Sequence, residues 1–448
     1  MEGEVVSQMQ DRQTVPKVQN KPSYKLRWMP LDNAAKIYPA ARRQNWSNVF
    51  RLSATLTEEV DCHVLQEALD VTVHRFPSIA ARLRKGMFWY YVQELEHAPR
   101  ILQESSYPLT TMTKEEMRRC GFRVIVYQKR IALELFHSLT DGNGALIFLK
   151  SLLAEYLQQK YGISIPVEQG VLDRREAPTE EELEDSFQKY AGPVCASRKE
   201  NTAWHLSGTP EKDGFLNLTC MELSARAVLE KAHEYGVSVT AFLGAVMLDA
   251  LQKYQAACVP EQKRRKPVKV LLPVNLRQLF HSRTLRNFAM YTSPELLTAL
   301  GQYEFAEICK IVHHHMGAEI TPKKMSMKIA ANVGSERMLA VRVLPLFIKN
   351  AVMKAIFDTV GEKKTCLCFS NLGVVQLPEA MMPYVERMDF ILGAQATAPY
   401  NCGALTFGDT LYINFIRNIR EPALEKHFYQ TLQQLELPVQ IRSNRAGR

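Results

Sequence analysis

Six residues near the middle of the chain, His137-Ser138-Leu139-Thr140-Asp141-Gly142, constrain it more than any others. They form an HxxxDG pattern at a change of period. Upstream, Ile131, Leu133 and Leu135 alternate with Ala132, Glu134 and Phe136, which is the period of a strand. Downstream, Leu146, Leu149, Leu152, Leu153 and Tyr156 recur at helical spacing. The chain must therefore pass from strand to helix across these six residues. His137 keeps the parity of the apolar set, so it points towards packed protein or a cleft.

The chemistry of that junction is specific. Transfer of an acyl group from a thioester to an alcohol or amine needs a base for the acceptor proton and a donor for the tetrahedral oxyanion. It also needs both substrates held together. A neutral histidine suits the first task, because its ordinary pKa of ~6.5 lies near working pH. Asp141, four residues on, holds the turn. If it is buried facing away from His137 it requires a cation. The local pattern leaves two roles open for His137, general base or structural turn residue.

Composition narrows the field. With 448 residues, 46% hydrophobic and 23% charged, the chain is a globular protein of two to three domains. No apolar run reaches the ~20 residues of a membrane span. The opening MEGEVVSQMQDRQ is polar and has no signal core. Nine scattered cysteines without a C-x-x-C pair argue against zinc or redox motifs and for a reduced, cytoplasmic protein. The net charge is +9 and mostly dispersed. Its one dense run, Lys263-Arg264-Arg265-Lys266, reads as a solvated loop, with a coenzyme A phosphate contact as the sharper alternative. No aromatics interleave with it, which disfavours nucleic acid.

Along the chain, residues 1–22 read as a disordered tail, 23–165 as a first α/β lobe, 166–213 as a Pro-rich linker and 214–448 as a second α/β lobe. Strands are expected at 49–56, 87–95, 123–127 and 131–136, then at 215–223, 268–274, 365–369 and 387–392, with a hairpin over 405–416 turning at Gly408-Asp409. Helices are expected at 61–76, from the motif to Tyr161-Gly162, at 224–235, 239–254 and 422–435, with two or three more within 303–360. His313-His314-His315 is no metal site, because consecutive helical residues point about 100° apart, and no other metal site is expected. Gly142-Asn143-Gly144 lacks the Walker pattern and reads as a helix entry. Ser138 lacks a nucleophile elbow.

At these residues the sequence resembles the chloramphenicol-acetyltransferase-like superfamily, which includes plant BAHD acyltransferases, peptide-synthetase condensation domains and alcohol acetyltransferases. The likeness begins near residue 24. It rests on Arg27-Trp28-Met29-Pro30-Leu31-Asp32, on Phe76-Pro77-Ser78-Ile79-Ala80-Ala81-Arg82-Leu83, on HSLTDG, on Leu272-Pro273-Val274-Asn275-Leu276-Arg277 and on Ser370-Asn371-Leu372-Gly373. The position before His137 is Phe136, where condensation domains carry a second histidine, and the BAHD segment DFGWG is absent. Alcohol acetyltransferase-like proteins are the nearest branch.

The resemblance implies an α/β (α+β) fold of two related lobes, each a mixed sheet with flanking helices, around a channel. A crossover segment near 365–400 would run from the second lobe towards the first. It implies that His137 is the base and that Asp141 is structural and pairs with Arg277. Gly142 completes the motif, Asn287 lines the channel, and Ser370 and Asn371 stand near the oxyanion. The function expected is an acyltransferase using acyl-CoA as co-substrate, with no bound cofactor, on a hydroxyl- or amine-bearing small molecule. The alternatives are a condensation enzyme served by an acyl carrier protein and a non-catalytic two-lobe binding protein.

Overall fold

The computed structural model describes residues 26–41, 48–192, 201–337, 343–356, 362–394 and 398–445. The expected tail, 1–22, lies outside the described residues. Among the described residues, sixteen strands form three sheets. β1 (Trp28–Pro30), β3 (Ala81–Lys85) and β4 (Tyr90–Glu94) make a small antiparallel sheet in the order β1-β4-β3. A five-stranded sheet runs β13-β2-β7-β6-β5, from β2 (Val49–Leu56), β5 (Leu102–Gln103), β6 (Phe122–Tyr127), β7 (Arg130–Phe136) and β13 (Val385–Ile391). The largest has eight strands, β10-β9-β12-β14-β15-β8-β16, with β11 also paired to β9. These are β8 (Asn217–Ser224), β9 (Val268–Asn275), β10 (Ala289–Thr292), β11 (Glu295–Leu296), β12 (Leu367–Val375), β14 (Tyr400–Phe407), β15 (Thr410–Arg417) and β16 (Gln440–Ser443).

One strand does not stay with its half. β13 leaves β12 and pairs antiparallel with β2, with Asp389 opposite Ser53 and Phe390 opposite Leu52. The first sheet is thus completed by residues more than 300 positions downstream of β2. β13 lies within 365–400, and its pairing partner is β2.

The motif hairpin forms as its sequence dictates. β6 and β7 pair across a turn at Gln128, which adopts φ +49°. β7 is buried on both faces, contrary to a simple alternation. Glu134 is fully buried because the loop before β6 covers it. Leu109 N–H donates to its carboxylate at 2.8 Å, and Arg51 and Arg123 pair with it. The helix Gly142–Tyr161 follows and is stopped by Gly162 in the left-handed region, φ +68°. It packs against the helix Cys62–Thr72, whose N-cap Asp61 accepts from His63 and Val64 N–H.

In the second half, Ser238 caps the helix Val239–Cys258, which is buried along most of its length beside β9. The described part of 166–192 is packed. Phe187 is fully buried, and the Arg75 guanidinium grips both oxygens of Glu182 at 2.7 Å. A cleft of about 970 Å³ opens between the five- and eight-stranded sheets, lined by Arg51 and Arg387 on one side and Glu222 and Tyr412 on the other. No single helix among the described residues is long and apolar enough to cross a membrane.

Where the helix Gly142–Tyr161 begins, the space left for a side chain is nil. A Cβ on Gly144 would lie 2.1 Å from Thr140 Oγ1 and 2.3 Å from the Leu285 carbonyl oxygen. A Cβ on helical Gly317 would meet nothing within 4 Å. Gly144→Ala is therefore expected to lower the thermal midpoint sharply or leave the protein insoluble. Gly317→Ala should be neutral or stabilise by up to ~1 kcal/mol, checked by thermal denaturation of both variants.

Candidate active site

Each polar side chain of HSLTDG is held by a residue distant in sequence. The Ser138 hydroxyl donates to the Ala35 carbonyl at 3.0 Å, and that of Thr140 to the Leu285 carbonyl at 2.6 Å. Ser138 is thus a strap to the segment that follows β1.

Asp141 faces away from His137. One carboxylate oxygen caps the helix, accepting from Asn143 and Gly144 N–H at 3.2 and 3.1 Å. The other accepts from Arg277 Nη1 at 2.9 Å and from Phe288 N–H at 2.8 Å. Burial alone would push this carboxyl up. The Arg277 charge and the N–H donors outweigh it and hold Asp141 below the ordinary carboxylate range. Arg277 is itself fixed, since its Nε donates to the Thr284 carbonyl at 2.7 Å and Nη2 to the Arg286 carbonyl at 2.5 Å.

The same segment brings Asn287 to the histidine. His137 Nδ1 lies 3.1 Å from Asn287 Oδ1. The amide of Asn287 is oriented by Asp32, because its Nδ2 donates to Asp32 Oδ2 at 3.1 Å. Oδ1 then accepts only, so His137 Nδ1 carries the proton and Nε2 keeps its lone pair. The ring stacks on Tyr38 at 4.6 Å and meets the edge of Phe50 at 5.0 Å. Burial lowers the His137 pKa, against the opposing pull of Asp141 and Asn287, so the imidazole is neutral at neutral pH. The His137 backbone N–H donates to the Asn48 carbonyl at 2.9 Å, which fixes the strand end beside β2.

Asp32 is the residue that sequence reasoning did not single out as part of the site. It is fully buried, and both oxygens are occupied. Oδ1 accepts from Ala35 N–H at 2.8 Å, and Oδ2 accepts from the backbone and side chain of Asn287. Burial raises its pKa and exceeds the counter-effect of Arg286, whose Nε stands 3.9 Å away. Its sequence signal was the Pro30-Leu31-Asp32 opening.

The crossover segment meets the motif at Gly142, where a Cβ would lie 2.9 Å from Leu372 Cδ2. Asn371 is engaged within its own neighbourhood. Its Nδ2 donates to Thr240 Oγ1 at 3.3 Å, and its Oδ1 accepts from Gly373 N–H at 2.9 Å. Ser370 sits on β12 opposite Gly403. Within the basic run 263–266, Arg264 is engaged, its Nε donating to the Val259 carbonyl at 2.8 Å at the end of the helix Val239–Cys258, while Lys263, Arg265 and Lys266 are exposed. Strand β9 separates it from Arg277 by roughly 25–30 Å at ~3.3 Å per residue. His313 and His314 splay on the helix Phe305–Glu319, and no group of three metal-ligating side chains occurs among the described residues.

With this geometry in hand, the chain can be set beside known proteins. Among solved structures, TRI101 of F. sporotrichioides complexed with coenzyme A and T-2 superposes with a TM-score of 0.59. The identity is 11%, over 92% of this chain and 99% of that one. The first condensation domain of the CDA synthetase gives 0.58 at 12% identity, over 91% and 95%. The wax ester synthase/diacylglycerol acyltransferase of Marinobacter aquaeolei VT8 gives 0.54 at 15% identity, over 91% and 98%. This is the chloramphenicol-acetyltransferase-like fold. The likeness spans nearly the whole chain, in agreement with the fold that HSLTDG and its companion segments suggest. No family model matches the sequence, and no curated protein matches it.

Two outcomes follow from the hydrogen bonds. Asp141→Ala and Arg277→Ala should each destabilise by about 3–5 kcal/mol, because each strands a buried charge. The double variant should fall well short of the sum, as read from denaturation of all four proteins in one cycle. Asn287→Ala removes a bond that favours the charged ring. The His137 titration, followed by NMR, should move to lower pH, while Phe288 N–H keeps its bond to Asp141.

Proposed function

We propose that the chain is an acyltransferase that moves an acyl group from a coenzyme A thioester to an alcohol or amine, with His137 Nε2 as the base. The observation that carries this reading is the Asp32–Asn287–His137 chain. It fixes the imidazole tautomer so that the nitrogen left free is the one that accepts a proton. The fold shared with acyltransferases and condensation domains supports the same class of reaction.

The step balances on these residues. The acceptor O–H or N–H gives its proton to Nε2 as its heteroatom bonds to the thioester carbonyl carbon. The tetrahedral intermediate collapses, the C–S bond breaks, and the thiolate takes the proton back from the imidazolium. Asn287 Oδ1, accepting from Nδ1–H and held in place by Asp32, stabilises that imidazolium. Asp141 does no chemistry here; with Arg277 it keeps the turn and the 275–288 segment in register. The crossover segment closes one side of the turn through Leu372. Ser370 is the remaining candidate donor to the oxyanion, Asn371 being engaged by Thr240 and Gly373.

His137→Ala should fold with an unchanged thermal midpoint and lose about 10²–10⁴-fold in thiol release from acyl-CoA, the contribution of a positioned base. In the parent protein the rate should fall as pH drops and the ring takes up its proton, with a midpoint below the ordinary 6.5 because burial disfavours the charged form. Mass spectrometry with a panel of acyl-CoAs and mixed alcohols and amines identifies the products. Full activity in His137→Ala sinks the mechanism. Turnover of an acylated carrier protein but not of acyl-CoA replaces the donor. Partner binding without any turnover points to a non-catalytic protein.

A further inference from the structure

A second, smaller cavity of about 160 Å³ is lined by chain neighbours of the stacked pair Tyr38 and His137. Its floor is apolar and includes Pro39, the neighbour of Tyr38, and Phe136, the neighbour of His137. Its rim carries Arg84, Lys85, Lys114 and Arg118, and no carboxylate lines it among the described residues. Lys85 and Arg84 come from β3. Lys114 and Arg118 come from the short helix Lys114–Arg119, which packs on β3. The backbone makes the link to the site rigid. Gly121 N–H donates to the Ala81 carbonyl, and Phe136 N–H donates to the Gly121 carbonyl, both at 2.9 Å. Elsewhere in the molecule the cations around the larger cleft are paired: Arg51 with Glu104 and Glu134, Arg387 with Glu222 and Asp389. Here Arg84 makes one neutral bond, to Gln93 Oε1 at 3.0 Å, and the other three extend into solvent.

Four like charges around one concavity, with no carboxylate among its lining residues, set up a positive potential there that favours an anion. The volume is below the ~300 Å³ of an ordinary small-molecule pocket, so it holds an end group and not a whole ligand. We propose that this cavity is an anion subsite, taking the phosphate or carboxylate end of a substrate whose reacting group reaches His137. This rests on the acyl-transfer reading for its reacting group, and on the cavity alone for its anion. Either the donor, through a phosphate, or an acidic acceptor supplies that charge.

The test is calorimetric titration of the full chain with inorganic pyrophosphate at low salt. The parent protein and a Lys85→Glu/Lys114→Glu variant, both changes lying on the exposed rim, are compared, with Arg118→Glu as a second variant. The parent should bind, with affinity falling as salt rises, and both variants should bind at least tenfold more weakly at an unchanged thermal midpoint. Absence of binding, or equal affinity in parent and variants, overturns the proposal. Coenzyme A is titrated alongside. If it displaces pyrophosphate and weakens in the variants, the donor supplies the anion; if its affinity is unchanged while pyrophosphate binding is lost, the acceptor does. Pyrophosphate binding does not depend on catalysis. An active His137→Ala protein would therefore defeat the acyl-transfer mechanism and leave the subsite standing.

Discussion

The Asp141 carboxylate is the joint on which the rest of the site depends. It is one buried charge with four donors: two N–H groups at the start of the motif helix, the Phe288 N–H and the Arg277 guanidinium. The first pair belongs to the N-terminal half of the chain and the second to the C-terminal half. A buried carboxylate left short of donors is costly, so the two halves are held at one relative position. Asn287, one residue before Phe288, is delivered to His137 by that same constraint.

Two buried aspartates near the histidine behave in opposite ways, and geometry says why. Asp141 has a guanidinium nitrogen at 2.9 Å and is held low. Asp32 has its nearest guanidinium nitrogen at 3.9 Å, and burial raises it. The better paired carboxylate builds the turn. The less well paired one stands behind Asn287, whose side-chain amide it orients towards His137.

Much of this was legible in the sequence because its signals are local. The strand β7, the helix to Gly162, the cap at Ser238 and the turn at Gly408 follow from period and capping chemistry. The burial of Glu134 was not legible, because it depends on a loop folding back over β7 to give Leu109 N–H to its carboxylate. Nor was the role of Asp32, since a lone acidic residue in an aperiodic segment carries no sign of the amide 255 positions away that it orients. The short strand β3 was missed because its charged residues Arg82, Arg84 and Lys85 hide the alternation in a five-residue stretch. Resemblance supplied Arg277 and Asn287, which periodicity alone would not have joined to the motif.

The crossover strand has a consequence for how the chain is made. The five-stranded sheet carries the hairpin that ends in His137, yet its edge beside β2 is filled only by residues 385–391. Synthesis runs from the N-terminus, and at ~5–20 residues per second the gap between β2 and β13 lasts tens of seconds. Throughout that interval the nascent first half presents β2, Val49–Leu56, as an unpaired and largely apolar edge. Folding of the histidine-bearing half is thus tied to near-completion of translation, and the period before β13 arrives is when the chain is most exposed to aggregation and to chaperone capture.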